Sequence, residues 1–186
     1  AKRDGDDWIL NGSKHFISGP MMPDFAIVFA ATGKDETPRG SRTRITAFLV
    51  DVGMPGFDIQ VGYNCVSYRG YLNFKLDFDN VRLGPDHILG EEGRGLELSG
   101  KWLGMGRIWV GATCCGKAER LFEMATSWAA ERKQFGQAIG KFQATGFKLA
   151  DMAVELRAAD LLVKDAINKA DQGVMTDSDA AMVKLY

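Results

Sequence analysis

All five prolines lie in the first 85 residues of this 186-residue chain, and that boundary constrains the fold more than any other feature. Proline removes a backbone donor and fixes φ, so a stretch punctuated by Pro and Gly breaks into short elements, while a proline-free stretch can run as long helices. The first part accordingly reads as β-structure, with short apolar and β-branched runs between turn signals at intervals of about ten residues. Trp8-Ile9-Leu10, Asn11-Gly12 and the run from Ser13 to Ser18 read as a hairpin with a type I′ turn, closed by Gly19-Pro20. Residues 25–31 form a continuous apolar run, expected of a strand buried on both faces, and the polar residues 32–43 read as a surface loop. Residues 45–50 and 57–61 are strands on either side of a Gly53-Met54-Pro55-Gly56 turn. Leu72, Phe74, Leu76 and Phe78 alternate with Asn73, Lys75 and Asp77, which predicts a strand with one wet face.

The period changes after Gly95, where Leu98, Trp102, Met105, Trp109 and Ala112 recur at helical spacing. The pattern predicts a helix over residues 95–131, a loop through Arg132-Lys133-Gln134-Phe135-Gly136, and a second helix over residues 141–172. Leu149, Met152, Leu156, Ala159, Val163, Ala166 and Ala170 make a seam suited to antiparallel packing. A third helix begins near Thr176-Asp177-Ser178-Asp179, whose side chains can cap its first amides. The fold class is α+β: a small antiparallel β-domain, barrel- or sandwich-like, over residues 1–94, then part of an up-down helical bundle over residues 95–186. Such a bundle is unfinished, and either more chain beyond Tyr186 or another subunit is expected to cover the stripe.

Composition excludes several classes. With 23 Lys+Arg against 24 Asp+Glu the net charge is −1, so the basic footprint of nucleic-acid binding is missing. No run of about 18 apolar residues exists to span a bilayer. Cys65, Cys114 and Cys115 lack CxxC spacing and read as reduced thiols. The charged opening has no apolar signal segment, and the absence of an initiator Met suggests a piece of something longer. The expected location is the cytoplasm of a bacterium or the mitochondrial matrix.

The residues alone suggest an anionic-ligand site without fixing it. Gly100, Gly104, Gly106, Gly111 and Gly116 cost about 1 kcal/mol each against Ala in a helix interior. Gly104 and Gly106, around Met105 and before Arg107, serve either ligand access or helix contact; Gly111 and Gly116 read as packing. Arg132, Lys133 and Gln134 beside Phe135 suit a phosphate-bearing aromatic cofactor, although cations at a helix end are also favoured by the dipole. Phe16 and Ser18 share one strand face where a flat ring could rest, or else Phe16 is a core residue; alternation puts His15 on the opposite face. His15 and His87 have no companions for a metal, and GxGxxG, P-loop, GxSxG and HExxH motifs are absent.

Taken together, the motifs resemble those of the acyl-CoA dehydrogenase family along essentially the whole chain. Leu10-Asn11-Gly12-Ser13-Lys14-His15-Phe16-Ile17-Ser18 is similar to the family's L/I-N-G-x-K-x-W-I-T strand. Phe78-Asp79-Asn80-Val81-Arg82-Leu83 with Gly90-Glu91-Glu92-Gly93-Arg94-Gly95 resembles the end of its β-domain, and Glu131-Arg132-Lys133-Gln134-Phe135-Gly136-Gln137-Ala138-Ile139 with Phe142-Gln143 its E-R-x-Q-F-G-x-x-I…F-Q signature. The resemblance implies a middle β-domain followed by the start of a four-helix bundle, with FAD as cofactor. Phe16, Ile17 and Ser18 would flank the flavin, Phe16 standing where the family has Trp and Ser18 where it has Thr. Arg132, Lys133, Gln134, Phe135, Phe142 and Gln143 would lie near the FAD pyrophosphate, reaching the cofactor of a neighbouring subunit in a dimer or tetramer. Gly104, Met105, Gly106 and Arg107 would line the acyl-CoA pocket. The implied reaction is α,β-dehydrogenation of an acyl-CoA to the 2-enoyl-CoA, as in fatty acid metabolism, with electrons passed to an electron-transfer flavoprotein. A helix-borne catalytic Glu is excluded because that position is Gly106, so the base is expected beyond residue 186 and this chain alone is expected to be inactive. Leu83-Gly84 in place of Val-Pro, and Tyr71 and Asn73 in place of Ser-x-Thr, bear on the substrate class. An oxygen-reactive flavin oxidase or monooxygenase of the same fold, and a catalytically silent assembly scaffold, are the competing readings.

Overall fold

The computed structural model describes residues 1–19, 22–66 and 69–186. It divides into two units, Ala1–Gly100 and Lys101–Tyr186. The first holds β1 (Lys2–Asp4), β2 (Asp7–Gly19), β3 (Phe25–Thr37), β4 (Gly40–Asp51), β5 (Phe57–Val61) and β6 (Leu72–Leu83). These form an antiparallel sheet in the order β1-β2-β6-β5 and a two-stranded β3-β4 sheet. Trp8, Leu10, Val28, Phe48, Phe74 and Leu83 from both sheets meet in one core, the arrangement of a small sandwich.

Three readings of this unit change. Asn11-Gly12 is no turn: β2 runs straight through it, and the hairpin turn lies at Gly5-Asp6, between the paired Asp4 and Asp7. At Asn11 the β2–β6 ladder carries an irregularity instead. There the Asn11 side chain accepts from the Asn80 backbone N–H at 2.9 Å and donates to the Asn80 Oδ1 at 3.1 Å, replacing ladder bonds. Residues 25–31 are buried on one face only, since Val28 and Ala30 are inside while Phe25 and Ile27 are exposed. Residues 32–43 are paired strand rather than loop, turning at Pro38–Arg39. Their polar residues pair across the hairpin, as Arg44 does with Asp35. The proposed terminator Pro20 lies outside the described residues. The alternation in β6 holds from Phe74 to Phe78, where Phe74, Leu76 and Phe78 are buried and Lys75 and Asp77 pair at 2.8 Å on the other face, but it fails at the start of the strand, where Leu72 is exposed and Asn73 buried.

Thr46 is fully buried yet satisfied, because its hydroxyl meets that of Thr32 at 2.8 Å and accepts from the Gly93 N–H at 2.9 Å. That bond seats the turn leading into α1 (Gly95–Glu131) against β4. A Cβ at Gly95 would lie 2.9 Å from the Ala47 backbone nitrogen, so only glycine permits this approach.

The second unit contains most of α1, a short hairpin of β7 (Lys133–Gln134) and β8 (Gln137–Ala138), α2 (Gln143–Asp171) and α3 (Asp177–Leu185). Ile108, Val163, Ala166, Ala180 and Val183 make its core. The inward line on α1 is therefore Gly104, Ile108, Gly111 and Cys115, not Trp102, Met105 and Trp109, which are exposed. A Cβ at Gly111 would meet Val183 Cγ1 at 2.4 Å, so the packing reading holds there; at Gly116 it would meet nothing within 4 Å, and there it does not. No helix among the described residues is long and apolar enough to cross a membrane.

α3 starts with a capping box in which the Thr176 hydroxyl and the Asp179 carboxylate bond each other's backbone N–H groups. Asp179 also accepts from Lys169 at 2.8 Å, tying the end of α2 to the start of α3. Hydrogen bonds from Lys169 and Thr176 hold the Asp179 carboxyl well below the usual carboxylate range, and those to Asp165 and Asp179 raise Lys169 above the usual lysine range. A depressed acid stabilises the fold above its unfolded pKa of about 4 and loses that contribution as pH falls through the folded value. Urea midpoints should therefore fall on acidification below about pH 4, and Asp179→Asn should flatten that limb. Gly111→Ala should lower stability by about 1–3 kcal/mol through overpacking. Gly116→Ala should raise it by about 0.5–1 kcal/mol, both read from denaturant unfolding.

Candidate functional site

In β2 the ladder with β6 pairs Lys14 with Leu76 and Ile17 with Phe74, leaving His15 and Phe16 to oppose Lys75 alone. This bulge is built on a left-handed Phe16, φ 58°, a conformation that costs a non-glycine residue energy and clusters at functional sites. The Phe16 ring is 62% exposed, so it is not the core residue that one reading allowed. The bulge also ends the simple alternation: His15 is not on the far side, since its ring centroid lies 4.3 Å from that of Phe16. Beyond the bulge Ser18 pairs with Asn73, so both side chains project from the face opposite the Phe74 core. Asn73 is only 7% exposed, and its Oδ1 has no hydrogen-bond partner among the described residues. It lines a cavity of about 370 Å³ with Tyr63, Cys65, Arg69 and Tyr71. Nothing in the linear pattern marked this cavity, because its walls come from opposite ends of the β5–β6 connection.

The segment read as a loop at Arg132–Gly136 is a tight β-hairpin. Lys133 pairs with Ala138 and Gln134 with Gln137, and the two central residues, Phe135 and Gly136, have φ 50° and 80°. Positive φ at both positions is the type I′ requirement expected earlier at Asn11-Gly12. Strand twist selects this turn, and it holds the Phe135 ring 93% exposed with Phe142 edge-on at 6.2 Å. The Arg132 carbonyl accepts from the Ile139 N–H at 2.8 Å, and a Cβ at Gly140 would lie 3.0 Å from the Ala129 carbonyl, so the hairpin is fixed to the end of α1. Arg132 and Lys133 make no ion pair among the described residues. Gln143 opens α2 directly after Phe142.

On α1, Gly104 is closed by Met175, whose Cε would lie 3.2 Å from an added Cβ, whereas Gly106 faces open space and Met105 is exposed. Arg107 lies 3.9 Å from the Asp177 carboxylate. At about 1.5 Å per residue, Arg107 and Arg132 stand roughly 35–40 Å apart along one helix. The structure thus keeps the Gly104–Arg107 segment and the hairpin at opposite ends of α1. A separate apolar groove of about 570 Å³ runs between α1 and α2, lined by residues such as Cys115, Phe122, Leu156 and Val183. No group of His, Cys, Asp or Glu among the described residues is arranged to hold a metal ion.

Residues 1–81 match the acyl-CoA dehydrogenase middle domain, and residues 93–186 match the acyl-CoA dehydrogenase C-terminal domain. The chain belongs to the acyl-CoA dehydrogenase family. It is 38% identical over 186 residues to a 3-(aryl)acrylate reductase of Clostridium sporogenes, covering 100% of this chain and 48% of that protein. The structure of butyryl-CoA dehydrogenase from Megasphaera elsdenii superposes with a TM-score of 0.85 at 36% identity, covering 98% of this chain and 47% of that one. A glutaryl-CoA dehydrogenase from Mycobacterium smegmatis in complex with FADH2 gives 0.84 at 31% identity, covering 99% and 45%. The chain spans about half the length of the curated relatives it matches. Each unit by itself carries groups that could hold part of an FAD: an exposed ring and a hydroxyl at the end of β2, and, at the hairpin, two cations without an ion pair among the described residues, an exposed ring and two amides.

Because asparagine tolerates φ > 0, Phe135→Asn should keep the hairpin and leave the unfolding free energy within about 0.5 kcal/mol of wild type. Gly136→Val should destabilise it, since a β-branched residue resists φ of 80°. Thermal unfolding of both variants checks the pair.

Proposed function

We propose that this chain is the middle β-domain and the first part of the helical domain of an FAD-dependent acyl-CoA dehydrogenase, which removes hydrogen across the α,β-bond of an acyl-CoA thioester. The observation that carries the reading is the end of β2, where a strained bulge turns Phe16 outward beside Ser18. Bound FAD supplies the hydride acceptor. In this reading Phe16 and Ile17 flank the flavin ring, and Phe16 covers it from the protein side. The Ser18 hydroxyl donates a hydrogen bond toward the flavin edge and stabilises negative charge as it develops there.

At the hairpin, Arg132 and Lys133 supply the charge and paired donors that suit a pyrophosphate, with Gln134 and Gln143 as amide partners. Phe135 and Phe142 shield that contact from water. Because these groups stand roughly 35–40 Å from Gly104–Arg107, we assign them to the cofactor of a neighbouring subunit in a dimer or tetramer. On α1, Met105 and Gly106 offer an apolar surface with room for an acyl chain, Gly104 sets how closely α1 meets Met175, and Arg107 orients this segment through Asp177. The base that takes the α-proton is not on α1, whose corresponding position is Gly106. The electron acceptor we assign is an electron-transfer flavoprotein. The similarity to a 3-(aryl)acrylate reductase favours a second reading, in which the same site works toward reduction of the double bond.

The deciding experiment is anaerobic titration of the full-length flavoprotein with a panel of acyl-CoA thioesters. Bleaching of the oxidised flavin bands is expected with one class; bands that bleach with none, but return on adding an enoyl thioester to reduced protein, would establish the reductive direction. Ser18→Ala should slow flavin reduction by about 10²-fold, the scale of losing one donor to a developing charge, and stopped-flow absorbance measures it. Arg132→Ala should weaken FAD retention by about tenfold, corresponding to about 1.4 kcal/mol, without altering the reduction rate of enzyme that keeps its flavin.

A further inference from the structure

Tyr63 lies two residues beyond the end of β5, which is two strands away from β2 in the sheet, with β6 between them. Its ring nevertheless stacks on Phe16, with centroids 5.1 Å apart and planes 29° from parallel. Gly62 makes this crossing possible: its N–H bonds the Asn73 carbonyl at 2.6 Å, and a Cβ there would come within 3.1 Å of that oxygen. The backbone is thus drawn against β6 immediately before Tyr63. Burial does not hold the ring in place, because Tyr63 is 57% exposed and borders the cavity that Asn73 also lines. Among the described residues its ring contacts are with Phe16 and, at 6.4 Å, His15.

Phe16 itself occupies a strained backbone conformation on a bulge, with two residues where the partner strand has one. A strained residue persists only where its surroundings over-determine it. We propose that Tyr63 is a positioning residue for the flavin site: it braces the Phe16 ring from the β5 side and fixes the plane that the cofactor meets. This rests on the flavin reading above, and it gives the β5–β6 connection a part in that site. The brace works through ring contact, so the phenol oxygen is dispensable, and it works through Phe16, so it has no effect once that ring is gone.

The test measures the FAD dissociation constant of full-length apoprotein, and the quenching of flavin emission on binding, for Tyr63→Ala, Tyr63→Leu, Tyr63→Phe, Phe16→Ala and the Phe16→Ala/Tyr63→Ala pair. Loss of one aromatic contact predicts about three- to tenfold weaker binding and reduced quenching for Tyr63→Ala. Tyr63→Leu keeps apolar bulk without a ring and should match it, while Tyr63→Phe should behave as wild type. In the Phe16→Ala background, Tyr63→Ala should add nothing further. Equal effects in both backgrounds, or unchanged affinity and quenching in Tyr63→Ala and Tyr63→Leu, overturn the proposal and leave the flavin reading standing. A wild-type protein that takes up no flavin overturns both.

Discussion

Between Lys14 and Ile17, β2 spends two residues where β6 spends one, and what the β-domain offers to a ligand depends on that surplus. In an uninterrupted ladder, continuing the Lys14–Leu76 register would set Phe16 opposite Phe74, on the core side, and Ser18 opposite Leu72. The bulge shifts the register by one, so Ile17 takes the place opposite Phe74 and Ser18 moves to the outer face beside Asn73. Phe16, left between the two registers, projects into solvent. A single inserted residue therefore converts an ordinary strand end into an exposed ring next to a hydroxyl. It costs a ladder pair and an unfavourable φ at Phe16, which the well-packed core below, with Phe74 and Leu76 buried, is able to sustain.

The helical unit imposes a different constraint, one of length. α1 is a single helix of 37 residues, and its glycines divide into those that neighbours fill and those that nothing in the chain touches. Gly104 and Gly111 lie on the line facing Met175 and Val183, where an alanine methyl would collide or crowd. That close approach lets Ile108 reach the small core with Val163 and Ala180. Gly106 lies off that line, and a Cβ added there would meet nothing among the described residues within 4 Å. Since the helix is rigid over its length, the hairpin it carries at its far end cannot serve a ligand held near Gly106. The proposed assignment of the hairpin to a neighbouring subunit's cofactor rests on this separation of the two ends.

Element types were largely legible in the sequence because they rest on period: the change after Gly95, the alternation from Phe74 to Phe78, and the capping pattern at Thr176 each reappear in the structure. Misread positions share one cause, in that a local signal had more than one physical use. Asn-Gly permits a type I′ turn, but it also permits a ladder irregularity when an Asn side chain can replace lost backbone bonds, as Asn11 does with Asn80. The actual type I′ turn has Phe at its first central position, a residue that local preference disfavours there, and the α1–α2 connection imposes it. Polar residues 32–37 carry no apolar alternation, yet they pair because the opposite strand supplies Arg44 and Thr46 as partners. Of the candidate site, Phe16, Ser18 and the Arg132–Gln134 cluster were marked by side-chain chemistry. Asn73 was marked only as a departure from the family's Ser-x-Thr pattern and Tyr63 not at all, since only strand order brings them to the end of β2.

Polar satisfaction separates the parts of the chain that are closed from the part that is not. Thr46 and Asp179 are buried and fully occupied, Thr46 by Thr32 and Gly93, Asp179 by Lys169 and Thr176. Both sit where elements join, and their hydrogen bonds are structural. Trp8 Nε1 is buried without a partner, but it belongs to a ring that packs in the apolar core, with the Arg3 guanidinium 4.5 Å above it. Asn73 differs from all three, because its oxygen has no partner among the described residues while the residue itself lines a cavity, and its strand neighbour is Ser18. A buried acceptor without a donor is costly, and native proteins resolve such cases with water or with a bound molecule. Among the described residues no donor reaches the Asn73 oxygen, and it lies one strand from the Ser18 position that the β2 bulge sets.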